Sequence, residues 1–208
     1  RASECQPHAF ADAEAMLASV CRFVLYLGET LTLDALLTRP THSLINQSHQ
    51  SRERPEPMNG DGFGVAWYVP TLSESPGLFR ACTPAWSNAN LRELARVTQS
   101  GCILAHVRAA TPPLPVSDQN CHPFVAGRLA FMHNGYIPGF MGLRRKLVAT
   151  LSDEAYRIIG GSTDSEHILA LMVDALKKQS GVGAPALAAA LRHTLKHIDA
   201  LVDEAGVA

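Results

Sequence analysis

Alternation of hydrophobic and polar residues predicts strands mostly in the first two thirds of the chain. The segment GCILAHVRAAT (101–111) shows it best, since His106 and Arg108 are two residues apart and therefore point to the same side of a strand. The segment RLAFMHNGY (128–136) ends in an Asn-Gly pair, which is typical of tight turns. Three further strands are predicted at 22–27, 62–69 and 78–82.

A period of three to four residues predicts helices in the middle and at the end of the chain. The segment NLRELARVTQ (90–99) follows a candidate N-cap, Asn88 or Asn90. A longer helix is predicted at 162–179, where Ser162, Thr163 and Asp164 are the candidate caps.

A last helix is predicted at 185–202, with a buried face formed by Leu187, Leu191, Leu195 and Ile198. Because strands come mostly first and long helices last, the order favours an α+β fold over alternating βαβ units. At 208 residues the chain is long enough for one domain with a sizeable core.

Composition excludes several classes of partner. Eighteen basic residues face nineteen acidic ones, and the longest basic cluster is 144–146, so neither a nucleic acid nor a membrane partner is expected. Five cysteines without a CxxC pair predict a reducing, cytoplasmic location. His106, His122 and His133 lack recognised ligand spacing, so no metal or other cofactor is expected.

A small set of polar residues carries the candidate chemistry. Taken alone, Cys21 reads as a buried hydrophobe, Asn134-Gly135 as a turn and Asp164 as a helix cap. Together with the cation of Arg108 they supply a thiol, oxyanion donors and two opposite charges, which are the parts needed to cleave a carboxamide.

Six motifs in order give the set a recognisable context: CRF (21–23), NGDGFG (59–64), AHVRAAT (105–111), CHPF (121–124), FMHNG (131–135) and GSTDSE (161–166). In this order they resemble the class II glutamine amidotransferases. The resemblance implies a four-layer αββα N-terminal-nucleophile hydrolase sandwich with antiparallel sheets, truncated at the C-terminus because the family's domain continues with further strands.

Within that family the chain resembles a branch that acts on γ-glutamyl compounds. The segments that carry this likeness are RPTHSLINQS (39–48), MNGDGFGVAWY (58–68) and TPAWSNANL (83–91). They are similar to the amidotransferase-type subunit of the fungal glutathione-degrading complex and, more distantly, to the ergothioneine-pathway γ-glutamyl hydrolase.

The resemblance also implies a role for each site residue. Arg108, helped by Thr111, is expected to bind the α-carboxylate of a glutamyl group, and Asp164 its α-ammonium. The side chain of Asn134 and the N–H of Gly135 are expected to form the oxyanion hole. Cys21 is the expected nucleophile, with its own α-amine as the general base.

The position of Cys21 departs from the family, in which the cysteine is the first residue of the mature chain. Three explanations are open for residues 1–20: a propeptide, a mis-assigned start, or a retained leader on an inactive protein. Val20 stands where an initiator would belong, which favours the second. The amidotransferase-like domain is accordingly expected to span 21–208.

The leading hypothesis is hydrolysis of a γ-glutamyl amide bond through a Cys21 thioester, with glutamine, glutathione or a related metabolite as substrate. One alternative is a glutaminase that donates ammonia to a separate synthase. A non-catalytic regulatory or assembly subunit is the other. The resemblance allows for a peptidase-like or synthase protein partner, and the residues do not identify the leaving group.

Overall fold

A four-stranded antiparallel sheet lies at the centre of the computed structural model, which describes residues 21–49, 58–109, 115–179, 181 and 183–207. Its strands are β1 (Arg22–Thr32), β2 (Phe63–Trp67), β3 (Gly77–Ala81) and β4 (Gln99–Val107). A separate hairpin pairs β5 (Phe124–Ala126) with β6 (Leu129–Phe131). Helices α1–α7 are Leu33–Leu37, Leu44–His49, Ala89–Val97, Phe140–Ala149, Asp153–Tyr156, Asp164–Lys177 and Gly183–Ala205.

The register of the sheet brings three chain segments to one end of it. The strand order is β1-β4-β2-β3, so the buried β4 lies between β1 and β2. Val107, at the end of β4, pairs with Arg22 on one side and with Phe63 on the other. The residues just outside these strands, Cys21 and Arg108 among them, therefore meet at the same sheet end.

One face of the sheet packs on helices α1–α3 and forms the larger core. Its buried residues include Val65, Ile103 and Val107 from the strands and Leu33 and Leu91 from the helices. Burial of such side chains contributes roughly 1.5–3 kcal/mol each and is the main stabilising term.

The opposite face of the sheet is covered by the segment that leads into β5. The carbonyl oxygen of His122 occupies the space that a Cβ of Gly64 would need, so only glycine permits this approach. Helix α6 contacts β5 on its far side. The resulting order of helices, sheet, second sheet and helices confirms the predicted α+β sandwich with antiparallel sheets.

A second core joins α4, α6 and α7. Ile137, Phe140 and Leu147 pack there against Ile168 and Ile198. Among the described residues, no helix is both long and apolar enough to cross a membrane.

Two details of the sequence prediction are wrong. The strand predicted at 128–136 ends at Phe131, because β5 offers partners to only three residues. The predicted buried face of the last helix is correct at Ile198 but wrong at Leu195, which is 46% exposed, and it missed the buried Ala186, Ala190 and Thr194. Helix α7 packs on α6, and three of its four buried residues are small, so the buried face does not follow the leucines.

Candidate active site

Cys21 lies directly before β1 at the sheet end described above. Its side chain is half-buried, and its sulfur accepts a hydrogen bond from the backbone N–H of Ala109 at 3.4 Å. The sulfur also lies 3.5 Å from the carbonyl oxygen of Ala109. Because Ala109 follows β4, pairing of the two strands fixes the position of the thiol.

Asn134 contacts Cys21 from the loop after β6. Its exposed side-chain amide donates a hydrogen bond to the carbonyl oxygen of Cys21 at 3.0 Å. The adjacent Gly135 is exposed, and a Cβ there would lie 2.8 Å from Nε2 of His133. The structure therefore brings the candidate oxyanion side chain to the candidate nucleophile, with a glycine next to it that leaves room for the His133 ring.

Arg108 is almost completely buried and is held by its backbone and its guanidinium. Its N–H donates to the carbonyl oxygen of Gly62 at 2.8 Å, and its own carbonyl oxygen accepts from the N–H of Asp61 at 3.1 Å. The guanidinium donates to the carbonyl oxygen of Pro115 at 3.3 and 3.4 Å. The NGDGFG motif thus serves as a backbone support for Arg108, a role that the sequence alone did not indicate.

Asp164 is the first residue of α6, and Thr163 is the N-cap of that helix. The Thr163 side chain accepts from the N–H of Glu166 at 3.2 Å. The buried Asp164 carboxylate instead accepts from the N–H of Ile137 at 2.8 Å and from the N–H of Ser165 at 2.7 Å. Asp164 therefore ties α6 to the loop that carries Asn134.

A cleft of about 490 Å³ opens beside the thiol. Cys21 and Asn134 line it together with residues from β1 and from the segment 36–47. Arg108 and Asp164 are not among the described residues that line it. The structure therefore brings Cys21 and Asn134 together at the cleft, whereas Arg108 and Asp164 are buried and lie outside its lining. The cleft is called the open side of the site, and the region of Arg108 and Asp164 its buried side. Thr111 lies outside the described residues.

The sequence of this chain matches a protein-family model over most of its length. The family model described as "Glutamine amidotransferases class-II" matches residues 37–208. The chain belongs to this family. The family prediction drawn from the six motifs is thereby confirmed.

Individual proteins are also similar to this chain. The "Probable glutamine amidotransferase DUG3" of Saccharomyces cerevisiae is 49% identical over 86% of this chain and 54% of its own length. A "Gamma-glutamyl-hercynylcysteine sulfoxide hydrolase" of Mycobacterium tuberculosis is 31% identical over 57% of this chain and 50% of its own length. The chain spans about half the length of these relatives.

A solved structure supports the same assignment. The glutamine aminotransferase class-II domain protein from Silicibacter pomeroyi matches with a TM-score of 0.62 and 32% identity. The match covers 88% of this chain and 65% of that protein. The fold is therefore that of a class II amidotransferase domain.

The buried side of this amidotransferase domain contains a histidine pair that sequence reasoning missed. The rings of His106 and His122 stack with their centroids 4.3 Å apart, and His122 also meets Phe124 edge-on. Burial, followed by the positive charge of Arg108, lowers the pKa of His106 to about 3. Burial and then His106 lower the pKa of His122 well below its ordinary value. Both rings are therefore neutral at physiological pH.

A third histidine, His133, lies near Asp164. Nδ1 of His133 lies 2.9 Å from the hydroxyl of Ser165, whose backbone N–H binds Asp164. Burial lowers the pKa of His133, and the charge of Asp164 opposes that shift. Within the described part of the chain, no group of three or more histidine, cysteine or acidic side chains is arranged to hold a metal ion.

Proposed function

We propose that this domain hydrolyses γ-glutamyl amide bonds through a thioester on Cys21. The observation that carries the proposal is the contact between Cys21 and Asn134 at the mouth of the cleft. It brings a thiol and an amide donor together in a chain that belongs to a family of amidotransferases. Relatives named as γ-glutamyl hydrolases support a γ-glutamyl substrate.

The proposed reaction begins when the α-amine of Cys21 takes the thiol proton. An α-amine titrates near pH 7.7–8.0, so it can act as a base at cellular pH. The sulfur attacks the γ-carbonyl carbon, the C–N bond breaks, and the leaving amine takes the proton. Water then adds to the thioester, which releases glutamate and restores the thiol. A peptide-bonded nitrogen has no such basicity, so the proposal requires that Cys21 be the first residue.

The proposal assigns the glutamyl group to the buried side of Cys21. Arg108 has five N–H donors, and within the described ranges only the Pro115 carbonyl oxygen engages its two terminal nitrogens, which leaves donors for a carboxylate. The Asp164 carboxylate has about four acceptor sites, and the N–H groups of Ile137 and Ser165 use two of them. With the Ser165 hydroxyl at 3.3 Å as a third partner, one site is left for an ammonium.

Replacing the nucleophile tests the proposal directly. Protein that starts at Cys21 is incubated with glutamine and with glutathione, and glutamate release is followed. Cys21→Ala is expected to abolish release from both substrates, whereas the matched control Cys82→Ala, which removes an exposed thiol, is expected to retain it. Unchanged release by Cys21→Ala would rule out the thioester. Full activity of protein that retains residues 1–20 would rule out the amine as base.

Ammonia donation to a separate synthase is a second candidate function. A "Glutamine--fructose-6-phosphate aminotransferase [isomerizing]" of Chlorobaculum tepidum is 34% identical over 54% of this chain and 18% of its own length. A glutaminase serving a partner would cleave glutamine in preference to glutathione. The same substrate pair therefore separates the two functions, and binding of glutamine without turnover would indicate a regulatory subunit.

A further inference from the structure

The cleft on the open side of Cys21 is larger than the proposed reaction on glutamine needs. Its volume is about 490 Å³, which lies within the roughly 300–1,000 Å³ typical of small-molecule sites. Ammonia, the leaving group of glutamine, needs a space of about one water molecule, or ~30 Å³. The glutamyl group does not account for the difference if it binds Arg108 and Asp164, because neither lines the cleft.

The walls of the cleft combine apolar and polar side chains. Phe23, which is 48% exposed, and Leu36 present apolar surface next to the thiol. His42 and Gln47 supply polar groups from the segment that leads into α2 and from α2 itself. No aspartate or glutamate lines the cleft within the described ranges. A leaving group with both an apolar part and a negative charge therefore fits these walls better than ammonia does.

His42 and Arg22 are the basic lining residues that can donate a hydrogen bond to such a charge; the Arg22 guanidinium already donates to Oδ1 of Asn59, so the partner assigned to the charge is His42. It is exposed, and its imidazole can donate a hydrogen bond to a carboxylate. Its backbone is fixed, because the side-chain amide of Gln47 donates to the His42 carbonyl oxygen at 2.7 Å. The Ser43 hydroxyl next to it accepts from the N–H of Asn46 at 3.2 Å. The segment 42–47 is thus held locally, and His42 in it lines the cleft.

We propose that this cleft binds the leaving half of the substrate, and that this half is an amino acid or short peptide joined through its amine. Its carboxylate pairs with His42, and its side chain packs on Phe23 and Leu36. This inference rests on the proposed function, since it takes Cys21 as the nucleophile. It assigns discrimination between substrates to the segment 36–47 and recognition of the glutamyl group to the buried side.

Three substrates test the assignment of the carboxylate. Glutamate release is measured from γ-glutamylalanine, from its C-terminal amide and from glutamine. His42→Ala is expected to lower kcat/KM for γ-glutamylalanine relative to glutamine about three- to fivefold, the size typical of one hydrogen bond. The amide, which lacks the charge, is expected to show no such change. The matched control is His193→Ala, an exposed histidine on α7, and it is expected to leave all three ratios as in the wild type.

A second variant tests occupancy of the cleft without relying on charge. Gln47→Trp narrows the cleft and is expected to lower kcat/KM for both alanine substrates at least about tenfold relative to glutamine, because a misfit of even one methylene in a pocket costs about this much. Thermal unfolding of each variant verifies that it is folded. An equal effect on all three substrates, or no effect in either variant, would overturn the leaving-group site. Glutamate release that survives Cys21→Ala would instead overturn the proposed function.

Discussion

The two sides of Cys21 differ in how their polar groups are held. On the buried side, Arg108 and Asp164 are almost fully enclosed and already engaged by backbone groups. On the open side, His42 is exposed and belongs to a short segment held by a few local hydrogen bonds. Charges in a water-poor environment interact more strongly and reorganise less. We therefore expect the buried side to bind one half of the substrate in a fixed geometry. The open side is expected to accept different leaving groups as the other half.

The largest expected effect comes from Asn134, which lies between the two sides. Asn134→Ala removes the amide that binds the Cys21 carbonyl oxygen and is proposed to stabilise the oxyanion. Loss of one such donor lowers kcat by about 10²–10³. Steady-state kinetics with glutamine and with γ-glutamylalanine should show the same loss for both. A lower kcat with only one of the two substrates would mean that Asn134 recognises the leaving group.

Arg108→Lys should give the next largest effect, and it should weaken recognition of the glutamyl group on the buried side alone. A lysine keeps the charge but loses the planar fork that binds a carboxylate through two hydrogen bonds. We expect kcat/KM to fall about 10- to 100-fold, the range of a lost charge-assisted hydrogen bond. Measured on the three substrates used for His42→Ala, the loss should be equal. A loss that depends on the leaving group would contradict the division between the two sides.

Sequence patterns predicted much of the sheet, because β4 is long and regular. Its alternation predicted His106 and Arg108 on one strand; His106 lies on β4, Arg108 follows its last residue, and both are buried. The open side escaped prediction, since α1 and α2 are helices of five and six residues and too short to show a period.

Contacts between distant segments were equally hidden from the sequence. His122 belongs to an irregular segment before β5, and its stacking on His106 depends on how that segment crosses the sheet. The predicted meeting of Asn134 and Cys21 came from the family resemblance, because no local pattern links residues 113 positions apart. Periodicity therefore predicts the helices and strands, whereas the packing of irregular segments determines which residues meet at the site.

The smallest expected effect is on the free energy of unfolding at acid pH, which the buried His106 and His122 should lower. Below about pH 6.5 His106 and His122 bind protons in the unfolded chain, whereas their enclosed rings in the folded protein do not. The stability contributed by the neutral rings is present above that pH and is lost as the pH falls toward 3. Each ring should lower the free energy of unfolding by at most about 1.4 kcal/mol per pH unit in this window.

His122→Phe tests this slope while keeping a flat ring against His106 and Phe124. Urea unfolding at pH 7.5, 6.5 and 5.5 should show a shallower loss of stability in the variant than in the wild type. Neither ring nitrogen of His122 has a hydrogen-bond partner among the described residues, so the phenylalanine leaves no polar group newly unpaired. His193→Phe replaces an exposed histidine of α7 by the same residue and is the matched control. An unchanged slope in His122→Phe would show that other groups set the acid limit and that the buried side is less closed than its geometry indicates.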